Sequence, residues 1–193
     1  MDLAADYNPP ADLVEFLHAG SPPVYVGFGS MVDHERGKIT ELVVEAVRQT
    51  GQRAILLGGW TDLGSGRLPD HILRIDFAPH DWLFPRMAAV VHHGGAGTTA
   101  AGLRAGVPNV IVPFFGDQAF WAWRVDNLGV GVKGPSRKRL TAGKLAEAID
   151  RAVEDSQIRA NAVNLGERIQ AEDGVATAVD YIKRILAEKT ITN

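Results

Sequence analysis

Short apolar runs alternate along this chain with segments of helical periodicity, and that alternation restricts the fold more than any other feature. Residues 24–28, 53–57, 72–77, 88–91, 110–112 and 129–133 are rich in Val, Ile, Leu and Phe and are bounded by Pro, Gly or polar turn residues. Runs of this length and composition read as buried strands. Between and after them lie helical patterns. Residues 38–49 put Leu42, Val43, Ala46 and Val47 on one face and stop at Gly51. Residues 98–105 stop at Gly106 and Pro108, and residues 118–127 form another helical stretch. Thr141 is placed to cap a further helix. Leu145, Ile149 and Val153 then share one face, as do Ala178, Tyr181, Ile182 and Ile185. Strands alternating with helices predict an α/β fold, a Rossmann-like, doubly wound parallel sheet of about six strands with helices on both faces. Ligands of such sheets bind beyond the carboxyl ends of the strands.

Bulk properties narrow the chemistry. With 193 residues, 46% hydrophobic and 22% charged, the chain reads as one globular domain spanning residues 1–193. A net charge of -3 leaves no cationic excess for a nucleic-acid backbone, so nucleic acid is not an expected partner. There are no cysteines, which excludes disulfides, thiolate zinc sites and cysteine nucleophiles and suits a reducing compartment. Neither a leader pattern nor a run of ~20 apolar residues is present, so the expected location is cytoplasmic, without a membrane span.

The segment Val90-Val91-His92-His93-Gly94-Gly95-Ala96-Gly97-Thr98-Thr99 joins a buried strand to a helix start. Glycines there let backbone N–H groups approach an anion, the helix N-terminus adds about half a positive charge, and His93 and Thr98 add side-chain donors. A phosphate suits such a cradle, although a tight strand-to-helix connection would also call for glycines. Gly95, Gly97 and Ala100, followed by Asp117, also satisfy a dinucleotide pattern, which makes an NAD-dependent dehydrogenase the competing enzyme reading. That pattern belongs to the first strand-helix unit of its fold, whereas this loop follows the fourth predicted strand. Adjacent His92 and His93 point to opposite faces at a strand end, with no carboxylate near in sequence. A metal site is therefore not expected, and one imidazole should pack in the core while the other faces the loop.

Three further segments fall at the same predicted edge. Gly27-Phe28-Gly29-Ser30-Met31 is a second glycine turn, after the first strand. Pro113-Phe114-Phe115-Gly116-Asp117-Gln118 leaves the fifth strand, and its Asp117 and Gln118 carry the acceptors and donor that grip sugar hydroxyls. Asp117 is equally placed to cap the helix that begins near Gln118. Phe77-Ala78-Pro79-His80-Asp81-Trp82 ends the third strand, where Phe77 or Trp82 could stack on a flat base, with core packing the favoured role of Trp82. Trp121 and Trp123 sit on a helix and read as packing residues.

Together these segments resemble the C-terminal, donor-binding domain of UDP-glycosyltransferases of GT-B architecture, and most nearly sterol glucosyltransferases and antibiotic glycosyltransferases. The resemblance runs over residues 23–131. It is carried by His92 through Thr99 and by Pro113 through Gln118, spaced by Leu103-Arg104-Ala105-Gly106-Val107-Pro108. The resemblance implies that His93, Gly95, Gly97 and Thr98 hold the donor diphosphate and that Asp117 and Gln118 hold the sugar. It also implies that Gly29 and Ser30 close over the phosphates, that Phe77 stacks on uracil, that the Ala78 backbone reads the base edge, and that His80 lies near the ribose. In two places the chain departs from plant-type members. Ala101 stands where those members carry a ribose-binding glutamate, and Phe77 where they carry a stacking tryptophan.

The implied reaction is inverting, metal-independent transfer of a hexosyl group from a UDP-sugar, UDP-glucose above all, to a lipophilic hydroxyl such as that of a sterol. The UDP-sugar is a co-substrate, and no cofactor is expected. Catalysis amounts to stabilising the departing diphosphate, a task suited to fixed N–H donors, the helix dipole and His93. The sequence contains no Asp-x-Asp pair of the kind that holds a metal on a nucleotide-sugar. The family's base and acceptor pocket belong to an N-terminal domain, which this chain is expected to lack. The chain is thus expected to be an excised piece or one half of a split enzyme, membrane association being open to the full-length protein, and a non-catalytic binding module is the rival class.

Overall fold

The strands that the sequence predicts all form, and the computed structural model sets them in a single sheet; it describes residues 6–29, 36–58 and 67–191. They are β1 (Val24–Gly27), β2 (Ala54–Leu57), β3 (Ile72–Ile75), β4 (Ala89–His92), β5 (Asn109–Ile111) and β6 (Gly131–Lys133). The spatial order is β3-β2-β1-β4-β5-β6 and every pairing is parallel. The helices are α1 (Ala11–His18), α2 (Arg36–Thr50), α3 (His80–Leu83), α4 (Ala96–Arg104), α5 (Gln118–Asn127), α6 (Ala142–Glu154), α7 (Ser156–Ala171) and α8 (Gly174–Ile191). The expected Rossmann-like doubly wound sheet is therefore present, with its strand order reversing between β1 and β4.

Both faces of the sheet are covered, which is why the strands read as continuous apolar runs rather than alternating ones. Side chains nonetheless alternate. Val24, Val26, Ala54, Leu56, Val91 and Val110 point to the face carrying α2 and α6, where they meet Val43, Val47, Leu145 and Ile149. Tyr25, Ile55 and Val90 point to the other face, against Leu13 of α1, Leu83 of α3 and Phe84. Ile111 joins Ala122 and Val125 of α5 and Ala162 of α7 in a smaller cluster. All of these side chains are buried, at roughly 1.5–3 kcal/mol for each large aliphatic one.

Several boundaries differ from expectation. β3 ends at Ile75, so Asp76 and Phe77 belong to the edge loop, and β4 includes His92, which aligns with Gly27 and Ile111. α4 begins at Ala96 rather than Thr98, which places Ala96, Gly97 and Thr98 in its first turn. Thr141 caps α6 by accepting from the Lys144 N–H at 3.3 Å, as its position suggested. α1 and the single-turn α3 are additions that sequence periodicity did not signal. In α8 the apolar face forms, but Tyr181, Ile182 and Ile185 are exposed. Among the described residues no helix is long and apolar enough to cross a membrane.

Candidate donor site at the carboxyl edge

Parallel register aligns the ends of the strands. Ile75 pairs with Leu57 on one side, and Gly27, His92 and Ile111 form one row on the other. The glycine turn after β1 and the glycine loop after β4 consequently flank the point where the strand order reverses, the ordinary ligand crevice of this topology. The loop after β3, bearing Phe77, stands three strand spacings from β4, or ~14 Å.

At the centre lies His93. A Cβ added to Gly29 would fall 2.9 Å from His93 Cε1, and one added to Gly95 would fall 2.7 Å from His93 Nε2. The imidazole thus occupies space that exists only because both neighbours are glycines. Gly29 also has φ 60°, which other residues adopt at a cost. His93 is half-buried, and its Nδ1 is buried with no hydrogen-bond partner. Burial holds its pKa below the ordinary histidine value, while Asp117 pulls in the opposite direction, so the ring is neutral near pH 7.

Beside this ring, α4 starts at Gly95, which supplies no side-chain cap. The first-turn amides of Ala96, Gly97 and Thr98 have no carbonyl to meet within the helix, and the positive end of its dipole adds to them. Thr98 is half-buried in that turn. Thr99 instead faces inward, its hydroxyl donating to Gly95 O at 2.9 Å.

The neighbouring imidazole takes the opposite role. His92 is 0% exposed and continues the Val90 side of the strand, so its ring stands at 87° to that of His93. Asn109 Nδ2 donates to Val107 O at 2.9 Å, which leaves Asn109 Oδ1 to accept from His92 Nε2–H at 2.9 Å. Gly94 N–H then donates to His92 Nδ1 at 3.1 Å. Burial pushes the His92 pKa down to about 3, against a smaller upward effect of the Asn109 bond.

The remaining residues divide. The Asp117–Gln118 segment touches the glycine loop directly, since a Cβ on Gly94 would lie 3.2 Å from Gln118 Cβ. Asp117 is exposed and stands at the cap position of α5 without making a cap bond; its Oδ2 accepts from Trp121 Nε1 at 3.1 Å. Gln118 is turned inward at 5% exposure, and its Oε1 accepts from the Phe114 and Phe115 amides at 2.8 and 3.1 Å. Its carbonyl therefore shapes the loop. Phe77 is 63% exposed, whereas Trp82 is half-buried between Tyr7, 5.2 Å away edge-on, and the Arg86 guanidinium at 4.3 Å. Ala78 is buried, and the His80 ring stacks on Phe84 at 4.3 Å. Ser30 lies outside the described residues. Among the described residues no cluster of three or more His, Asp or Glu is arranged to hold a metal ion.

The profile of the family described as erythromycin biosynthesis protein CIII-like, C-terminal domain, matches residues 55–183. The chain belongs to this family. It is 51% identical over 180 residues to sterol 3-beta-glucosyltransferase UGT80A2 of Arabidopsis thaliana, covering 93% of this chain and 28% of that protein. It is 46% identical over 195 residues to the sterol 3-beta-glucosyltransferase of Aspergillus terreus, covering 95% of this chain and 14% of that one. The chain thus spans less than a third of either relative. Among solved structures it superposes on the calicheamicin glycosyltransferase CalG4 with a TM-score of 0.75 at 25% identity, over 94% of this chain and 44% of that one. The glycosyltransferase of kitacinnamycin gives a TM-score of 0.72 at 26% identity, over 93% and 45%. The Rossmann-like sheet is that of GT-B glycosyltransferases.

Three residues that shape the loop of this family member carry little signal in the sequence. Nothing local singles out Asn109 or Gly102, and strand alternation assigns His92 only to the core. The traces they leave are slight: an amide in a buried strand, and a glycine inside a helix where a Cβ would fall 2.3 Å from Asn109 Oδ1. Only the packing of α4 on β5 turns those two oddities into one feature.

Proposed function

We propose that this chain binds a UDP-sugar and is the donor half of an inverting, metal-independent glycosyltransferase. The observation that carries the reading is the His93 imidazole, seated between Gly29 and Gly95 beside the uncapped start of α4, at the switch point of the sheet. The diphosphate rests on the first-turn amides of α4, with Gly95, Gly97 and Thr98 forming the cradle and His93 donating to it. Phe77, exposed about three strands away, stacks on the base, with Ala78 and His80 flanking it. Asp117 faces the sugar, on a loop that Gln118 ties down from inside.

During transfer an acceptor hydroxyl attacks the anomeric carbon, the bond to the diphosphate oxygen breaks, and negative charge grows on the departing diphosphate. Amides already pointing at that position stabilise the charge without reorganising. The names of the relatives favour a glucosyl group as the one transferred and a sterol as acceptor, and with a UDP-sugar as donor that makes the donor UDP-glucose. A base near the acceptor completes the reaction. His18 and His71 precede β1 and β3 and so lie toward the amino edge of the sheet, away from the crevice, and His34 lies outside the described residues; on this reading the base comes from a partner domain.

Titration calorimetry of the chain with UDP, UDP-glucose and NAD tests the reading. UDP and UDP-glucose are expected to bind in preference to NAD. Binding of NAD with UDP silent would replace the glycosyltransferase reading by the dehydrogenase one.

A further inference from the structure

We infer that His92 is a positioning residue of the donor loop: its buried Nδ1 clamps the Gly94 amide and thereby aims the His93 ring and the α4 amides at the diphosphate. The inference rests on the donor-site reading and assigns a function to a residue that touches no ligand.

Three observations carry it. First, each hydrogen-bonding atom of the His92 ring is used, and in one sense only. Asn109 Nδ2 is committed to Val107 O, so Asn109 Oδ1 must accept, Nε2 of His92 must carry the proton, and Nδ1 must be the acceptor that meets Gly94 N–H. Second, the clamped residue is tightly constrained. Gly94 has φ 95°, and a Cβ there would strike Ile111 Cγ2 at 2.7 Å, so its peptide plane has little freedom once its N–H is fixed. Third, the amide held by His92 lies between the two site components, directly after His93 and directly before Gly95. Fixing that peptide orients both. The arrangement begins about two helix turns away: Gly102 of α4 leaves the space into which the Asn109 amide fits.

A core histidine with a purely structural role would also be buried and hydrogen-bonded, so the test separates the two ring nitrogens. The substitution His92→Asn places an amide oxygen near the position of Nδ1 and preserves the clamp while losing the bond to Asn109. The substitution His92→Gln reaches the position of Nε2 and preserves the bond to Asn109 while losing the clamp. UDP affinity by calorimetry and thermal stability are measured for wild type, His92→Asn and His92→Gln. The expected result is near wild-type affinity for His92→Asn and a loss of about tenfold or more for His92→Gln, about 1.4 kcal/mol per factor of ten, whichever variant is the more stable.

Equal affinity of His92→Gln and wild type, or losses in both variants that simply follow stability, would overturn the inference. A wild-type chain that binds no UDP would instead overturn the donor-site reading, and the inference with it. Should either variant fail to fold, the wild-type chain provides the second measurement. In a uniformly 15N-labelled sample the Gly94 N–H···Nδ1 bond is expected to show a through-bond 15N–15N coupling between Gly94 and His92, with the neutral Nε2–H tautomer in the ring spectrum. Absence of that coupling, or the other tautomer, would refute the clamp.

Discussion

Lowering the pH from 7 to 5 should destabilise this chain through His92 by an amount the structure allows one to calculate. The ordinary pKa of 6.5 applies in the unfolded chain, and burial takes it to about 3 in the fold. Between those values the unfolded state binds a proton that the native state refuses, so stability is full above pH 6.5 and is lost as pH falls toward 3. The limiting slope is about 1.4 kcal/mol per pH unit. Integrated from pH 7 to pH 5, the loss is about 2 kcal/mol, a sizeable share of the stability of a domain this size. The native state refuses the proton because a charged imidazole would be buried away from water, and Nδ1, the atom that would take it, already accepts from Gly94 N–H. His80 and His93 are also depressed by burial and act in the same direction, so the wild-type curve alone overstates His92. Urea unfolding at pH 7, 6 and 5 should therefore be run on wild type and on His92→Gln, which cannot titrate. The difference in slope, at unchanged m-value, isolates His92. A His92→Gln chain that loses stability as steeply as wild type over this range would refute the argument.

His93→Ala should weaken UDP binding by roughly 10- to 100-fold while leaving thermal unfolding nearly unchanged, and calorimetry beside a melting curve checks both. The same titration with EDTA or Mg²⁺ added should give an unaltered affinity. Gly94→Ala combines a positive φ with a Cβ 2.7 Å from Ile111 Cγ2, and should lower stability by about 2–4 kcal/mol, seen as a Tm fall of about 5–15 °C. Incubated alone with UDP-glucose and a panel of sterols and phenols, the chain should form no glycoside detectable by mass spectrometry at a useful rate. A matching N-terminal domain added in trans should restore transfer, because the cleft between two such domains aligns acceptor with anomeric carbon and excludes water. Robust turnover by the chain alone would show that it carries its own base.

How much of this was legible in the chain can be judged strand by strand. The strands were readable because each is a short apolar run closed by Gly, Pro or polar residues, and a sheet covered on both faces requires such runs. The glycine loop was readable because glycines between a strand and a helix start mark an anion-binding turn; that Gly29 and Gly95 also make room for the His93 ring came only with the fold. That one imidazole of the pair would be buried also followed from local geometry, since successive residues of a strand face opposite ways. Other features depended on contacts between segments distant in sequence. Asn109 meets His92 across 17 positions, and no local propensity marks an amide as the partner of a particular imidazole. Gln118 reads as a sugar ligand by residue type, yet the loop packs it inward and ties its carbonyl to the Phe114 and Phe115 amides. The different exposure of Phe77 and Trp82 comes from Tyr7, which the segment before α1 brings against both, covering Trp82 together with Arg86 and leaving Phe77 open. Composition and spacing determine which segments turn and which anion they suit; which side chains remain free to meet a ligand is decided by what the rest of the chain lays over them, and that is a property of the packed structure alone.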